Sequence, residues 1–177
     1  MKVRIAINGF GRIGRVFLRS VLKHPSFEVV AINDLSSSEI MSHLFKYDSV
    51  HRTFEGKVSY TSDLIVIDDK PIYYSSISEP EKLPWKDLKV DIVLECTGNF
   101  KTKELASKHL KAGANKVIIS APPTDSDIKT IVMGVNDDLI DGTEQILSNA
   151  SCTTNSAAPM IQLINNHFGI ESAYITT

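Results

Sequence analysis

Val3-Arg4-Ile5-Ala6-Ile7-Asn8-Gly9-Phe10-Gly11-Arg12-Ile13-Gly14 settles which architecture the rest of the chain builds on. Its first half is a short apolar run of the kind that forms a buried parallel strand, and its second half is a Gly-x-Gly-x-x-Gly opening a helix. That glycine pattern is weak alone; its surroundings strengthen it. A helical face of Ile13, Val16, Phe17, Ser20 and Val21 follows, then a second apolar strand, Glu28 to Asn33, ending at Asp34, twenty residues beyond Gly14. Strand, glycine turn, helix, strand and an acid at that distance together describe a dinucleotide-binding unit.

The glycines each have a physical task. Gly9 permits the tight turn, Gly11 lets a pyrophosphate approach the backbone, and Gly14 lets helix pack closely on strand, while the helix N-terminus attracts the phosphates. Asp34 is placed to bind ribose hydroxyls and to repel a 2′-phosphate, and Leu35 beside it offers no cation, so NAD is expected rather than NADP. The same aspartate also fits a cap for the helix that follows, and both roles stay open.

Downstream, strands and helices alternate. A helix over 36–46 is predicted with Ile40, Met41, Leu44 and Phe45 inward, then a loop from Lys46 to Arg52 and a hairpin-like insertion of short strands between 57 and 75. Asp91 to Glu95 reads as a strand running into Thr97-Gly98, whose small residues leave room for the nicotinamide half of a dinucleotide. Lys103 to Lys111 is predicted helical, and Asn115 to Pro122 a strand that brings Ser120 to the same carboxyl edge. Ile131 to Asn136 and Gln145 to Leu147 complete the strands. The alternation predicts an α/β fold, a doubly wound parallel sheet. Residues 1–150 are expected to be the dinucleotide-binding domain and 151–177 the start of a second one, made of one helix over about 153–168 and the strand-like Ile170 to Thr177.

Composition excludes other classes. The 177 residues are 42% hydrophobic and 23% charged with a net charge of −2, so no basic excess points to nucleic acid or an anionic membrane surface. The N-terminus runs straight into a strand pattern with no apolar leader, no stretch has membrane-spanning length, and a cytoplasmic protein is expected. Cys96 and Cys152 are too few and too far apart for a disulfide framework or a zinc site. His24, His43, His51, His109 and His167 have no ligand spacing to one another, so no metal is expected and all five read as surface or helix-face residues.

Ser148-Asn149-Ala150-Ser151-Cys152-Thr153-Thr154-Asn155 carries the candidate chemistry. It joins a strand to a helix, so Cys152 falls near a helix N-terminus, where the macrodipole favours an anion and hence a nucleophilic thiolate. A small buried hydrophobe is the competing reading of that cysteine, and capping that of its hydroxyl neighbours. The octapeptide resembles the nucleophile signature of phosphorylating glyceraldehyde-3-phosphate dehydrogenases. Asn8 to Arg12, Ile32 to Leu35, Lys46 to His51, Leu83 to Trp85, Thr97-Gly98, Ser120-Ala121-Pro122 and Met133 to Asn136 resemble further patterns of that family in order. The resemblance covers about the first half of a family member.

What the resemblance implies is a Rossmann-type NAD-binding domain followed by the first helix and strand of a truncated catalytic domain. It implies NAD contacts from Gly9, Gly11, Arg12, Ile13, Gly14, Asp34, Thr97, Gly98 and Ser120, and substrate contacts from Ser151, Cys152 and Thr153. Cys152 would form a thioester with glyceraldehyde 3-phosphate that inorganic phosphate releases as 1,3-bisphosphoglycerate, in an enzyme that is a homotetramer at full length. The histidine base and the phosphate-binding arginine of the family fall beyond Thr177, so a fragment with little turnover is expected. Erythrose-4-phosphate dehydrogenase and an inactive NAD-binding module are the alternatives. Ser78 stands where the family often has an arginine near the adenine, and Ser156 where many members carry a second cysteine.

Overall fold

The computed structural model describes residues 2–176, so Met1 and Thr177, at the ends of the two expected domains, lie outside it. Strand β1 (Val3–Asn8), helix α1 (Arg12–Val21), β2 (Phe27–Asn33) and α2 (Ser38–Lys46) open the chain. A small antiparallel pair, β3 (Tyr47–Asp48) and β4 (Arg52–Thr53), follows, then β5 (Val58–Tyr60), β6 (Leu64–Ile67) and β7 (Lys70–Ser75). The second half holds β8 (Ile92–Glu95), α3 (Lys103–Lys111), β9 (Lys116–Ile119), β10 (Lys129–Thr130), β11 (Ile146–Ser148) and α4 (Cys152–Phe168).

Nine strands form one sheet in the order β10-β11-β9-β8-β1-β2-β7-β6-β5. From β10 to β7 every pairing is parallel, and β7-β6-β5 is the antiparallel insertion expected between 57 and 75. The chain moves from β1 to β2 on one side and later returns to place β8 on the other. Strand order reverses there, and a doubly wound sheet leaves a crevice at the carboxyl ends of such strands.

Period-two alternation builds a core on each face. Ala6, Ala31, Val93, Val117 and Ile119 pack with Trp85, Ala106 and Ala114 on one face. Ile7, Ile32, Ile65, Ile67 and Ile72 pack with Phe10, Leu18, Met41, Phe45 and Tyr74 on the other. Neighbours in sequence therefore serve opposite cores, which explains why the strands read as unbroken apolar runs.

Four expectations are corrected by the fold. Helix α1 buries Gly14 and Leu18 rather than Ile13, which is 56% exposed, and α2 buries Met41 and Phe45 while Ile40 and Leu44 face outward. Both helices are short and lie on a twisted sheet, so the covered stripe is narrower than the apolar one. The strand expected at 131–136 does not form: the two-residue β10 ends before it at Thr130, and turns follow. Gly134 takes a φ of +79°, and the Val132 N–H is drawn to the Asn136 side chain, which removes it from any ladder. No strand forms over 170–176, since these residues have no neighbouring strand among the described residues. His109, read as a surface or helix-face residue, is fully buried.

Candidate functional site

A cleft of about 310 Å³ opens at the carboxyl ends of β1, β2 and β8, where the strand order reverses. It is lined by Asn8, Gly9 and Gly11 from the first turn, Asn33, Asp34 and Leu35 from the second strand end, Ile77 and Ser78, and Cys96, Thr97, Asn99 and Phe100. The glycine loop is built for contact. Gly9 has a φ of +91°, and a Cβ there would sit 2.7 Å from the Thr97 backbone nitrogen. At Gly14 a Cβ would lie 2.5 Å from the Gly9 carbonyl oxygen, so helix and turn touch backbone to backbone. Gly11 differs: no protein atom lies within 4 Å of its virtual Cβ, so nothing in the protein itself demands glycine. Close approach of a ligand would demand it.

The donor set suits phosphates. No carboxylate stands in the first turn of α1 and no side chain caps it, so the N–H groups of Arg12, Ile13 and Gly14 have no partner among the described residues. Asp34 braces the site: Oδ2 accepts from the Phe10 N–H at 2.8 Å and Oδ1 from the Ser36 N–H at 2.9 Å. The helix cap is Ser37, whose hydroxyl oxygen accepts from the Ile40 N–H. Asp34 is thus the brace between two loops and a lining residue of the cleft, and capping α2 falls to another residue.

Gly98, with a φ of +76°, lies between the lining residues Thr97 and Asn99. Ser120 follows β9, and its N–H donates to the Glu95 carbonyl at 2.9 Å. Burial pushes the Cys96 thiol up to about 12, against a smaller opposing effect of the Ser120 side chain, which fits a structural cysteine. Arg12 and Ile13 line a separate hollow of about 520 Å³ with Val16, Phe17, Asp48, Val50 and His51. Sequence reading missed Asn8, Asn33, Ile77, Cys96, Asn99 and Phe100 as lining residues. A usable signal existed for two of them: Asn8 and Asn33, like Glu95, each close an apolar strand with a polar residue that is buried.

Cys152 is the first residue of α4 and is exposed. Ser151 caps the helix: its hydroxyl oxygen accepts from the Thr154 N–H at 2.9 Å and is 2.7 Å from the Thr154 hydroxyl. The N–H groups of Cys152 and Thr153 are thereby left without a partner among the described residues. Ala150 takes a φ of +58° to turn the chain from strand to helix, and its N–H donates to the Ser148 hydroxyl oxygen at 3.1 Å. Ser148 in turn donates to the Ala121 carbonyl, and the Asn149 N–H to that of Ile119. These bonds tie the start of α4 to the end of β9, on the same carboxyl edge as the cleft, although Cys152 is not among the cleft's lining residues. Among the described residues no group of three or more His, Cys, Asp or Glu is set to hold a metal ion, and no helix is long and apolar enough to cross a membrane.

Comparison with known proteins agrees with this geometry. The family model described as glyceraldehyde 3-phosphate dehydrogenase, NAD binding domain matches residues 3–103. The chain is 52% identical over 174 residues to the glyceraldehyde-3-phosphate dehydrogenase of Clostridium acetobutylicum, a match covering 98% of this chain and 52% of that protein. It is 52% identical over 176 residues to the enzyme of the same name from Thermotoga maritima, covering 98% and 53%. With that of Geobacillus stearothermophilus it shares 49% over 178 residues, covering 100% and 53%. The chain spans about half the length of the curated relatives it matches.

Proposed function

The chain belongs to the glyceraldehyde 3-phosphate dehydrogenase family and its cofactor is NAD, and from that premise we propose that it carries the cofactor site and the nucleophile for phosphorylating oxidation of glyceraldehyde 3-phosphate. The observation that supports this reading best is the position of Cys152, exposed at the first residue of α4 and tied to the same sheet edge as the cleft.

The proposed chemistry runs as follows. The sulfur of Cys152 attacks as the thiolate and adds to the aldehyde carbon to give a hemithioacetal. The unpaired Cys152 N–H is available to the oxyanion that forms, and Ser151 and Thr153 flank the substrate. NAD, when bound, supplies the acceptor for the hydride lost from that carbon. Cys152 is then held as a thioester, which inorganic phosphate attacks, expelling the thiolate and yielding 1,3-bisphosphoglycerate. Gly9, Gly11 and Gly14 shape the turn, Arg12 and Ile13 present the α1 N-terminus to the pyrophosphate, and Asp34 receives the ribose hydroxyls. Thr97, Gly98 and Ser120 border the nicotinamide side.

We further read residues 1–150 as the NAD-binding domain and 151–177 as the beginning of a catalytic domain, in a protein that is a cytoplasmic homotetramer at full length. Two free cysteines fit a reducing compartment. The test is NAD reduction with glyceraldehyde 3-phosphate and phosphate by a full-length protein containing this sequence, before and after alkylation by iodoacetamide. Loss of activity in step with carbamidomethylation of Cys152 is expected. Activity that survives full modification of Cys152 would overturn the nucleophile, and faster turnover of erythrose 4-phosphate would reassign the substrate.

A further inference from the structure

Beneath the cleft runs a buried polar layer for which the glycine motif and Asp34 do not account. Asn8, Asn33 and Glu95, which close β1, β2 and β8, are 2%, 4% and 1% exposed. Glu95 accepts at both oxygens: Oε1 from the Thr97 N–H at 2.7 Å and from the Thr97 hydroxyl, Oε2 from Asn8 Nδ2 at 2.6 Å and from His109 Nε2 at 3.0 Å. On one side the Asn99 N–H donates to the Thr97 hydroxyl oxygen at 3.1 Å. On the other, Asn33 Nδ2 donates to Asn8 Oδ1 at 2.8 Å, and Asn33 Oδ1 accepts from the Ile77 N–H at 2.9 Å. Thr97 and Asn99 line the cleft beyond β8 and Ile77 lines it beyond β7, so one chain of hydrogen bonds passes beneath it from wall to wall.

His109 is the strut of this layer. The indole N–H of Trp85 can only donate, so at 3.0 Å His109 Nδ1 accepts and the imidazole proton sits on Nε2, facing Glu95. Trp85 and His109 are fully buried, and Phe100, a lining residue, meets the imidazole edge-on with 6.0 Å between centroids.

We propose that Glu95, His109 and Trp85 are positioning residues of the cofactor cleft, the Trp85–His109 strut aiming the Glu95 carboxylate, which in turn sets the spacing between the Thr97–Asn99 wall and the Asn33–Ile77 wall. The inference rests on the cleft's being the NAD site.

Two replacements of His109 separate positioning from bulk. His109→Gln can offer an acceptor to Trp85 and a donor to Glu95; His109→Leu offers neither. With the 15N-labelled 177-residue chain, NAD titration followed by amide resonances should give dissociation constants within about three-fold for wild type and His109→Gln. His109→Leu should bind at least about ten-fold more weakly, with the Thr97, Asn99 and Ile77 amides displaced in the free protein and those of the β5–β6 hairpin unmoved. Wild-type affinity in His109→Leu with unmoved wall amides would overturn the proposal. Should that variant fail to fold, Thr97→Val, at a half-buried position, cuts the link from Glu95 to Asn99; an unchanged Asn99 amide and unchanged affinity overturn the proposal equally. If NAD leaves the wild-type amides of Gly9, Gly11 and Asp34 unshifted, it is the assignment of the cleft that fails. The wall spacing is then judged on the free proteins alone.

Discussion

Cys96 and Cys152 carry the same functional group in opposite settings. Cys152 stands exposed on a helix start, whereas burial holds the Cys96 thiol near 12. Iodoacetamide at about pH 8 should therefore modify the folded chain once, at Cys152, and twice only after denaturation; equal labelling of both by peptide mass would contradict the assignment. The same shift has a sign for stability. An unfolded thiol releases its proton near 9.0 while the folded one holds it to about 12, so stability falls as pH rises through that window. Tyr74, also raised by burial and by the Asp34 charge, acts in the same direction. Asp34→Ala removes the acceptor of two loop N–H groups as well as the proposed ribose contact, and should weaken NAD binding by about 2 kcal/mol in calorimetric titration. Unaltered affinity would assign Asp34 a bracing role alone.

At the scale of elements, the three glycines of the β1–α1 unit divide into those the protein needs and one a ligand needs. Gly14→Ala drives a Cβ against the Gly9 carbonyl and Ile7, and should cost about 1–3 kcal/mol in urea unfolding. Gly11→Ala meets no protein atom, so stability should change by less than about 0.5 kcal/mol while NAD affinity falls by an order of magnitude or more. The reverse pattern, a destabilised Gly11→Ala that still binds NAD, would show that the pyrophosphate does not pass over this turn. Sequence spacing identified this unit because its physics is local: the turn, the helix start and the acid at the next strand end all lie within one β-α-β segment.

In the whole molecule, sheet and helices do not form a single evenly buried body. No residue of α4 is buried, and Met160, Leu163, Ile164 and Phe168 are exposed along it, whereas α1, α2 and α3 each contribute to a core. If residues 151–177 begin a separate domain, the α4 amides should exchange with deuterium through an opening of lower free energy than those of β1, β2 and β8. A common opening energy for α4 and the central strands would argue for one cooperative unit. Saturating NAD, at about a hundred times its dissociation constant, should add about 2.7 kcal/mol to the stability of the sheet.

By itself the sequence determined the α/β alternation, the dinucleotide turn and the place of Cys152 at a helix start, because apolar runs, glycine spacing and capping residues act over a few neighbours. It did not reveal which stripe of α1 and α2 is covered, since Ile13, Ile40 and Leu44 are as apolar as the residues that are buried. Nor did it reveal the 129–136 segment, where a side-chain bond from Asn136 and the turn at Gly134 override strand-like composition. His109 was the clearest loss: on a lysine-rich helix it reads as solvated, and only the approach of Trp85, 24 residues earlier, and Glu95, 14 residues earlier, makes it the buried link of the cleft floor. Such groups are paired by strand order, and strand order is a property of the folded sheet.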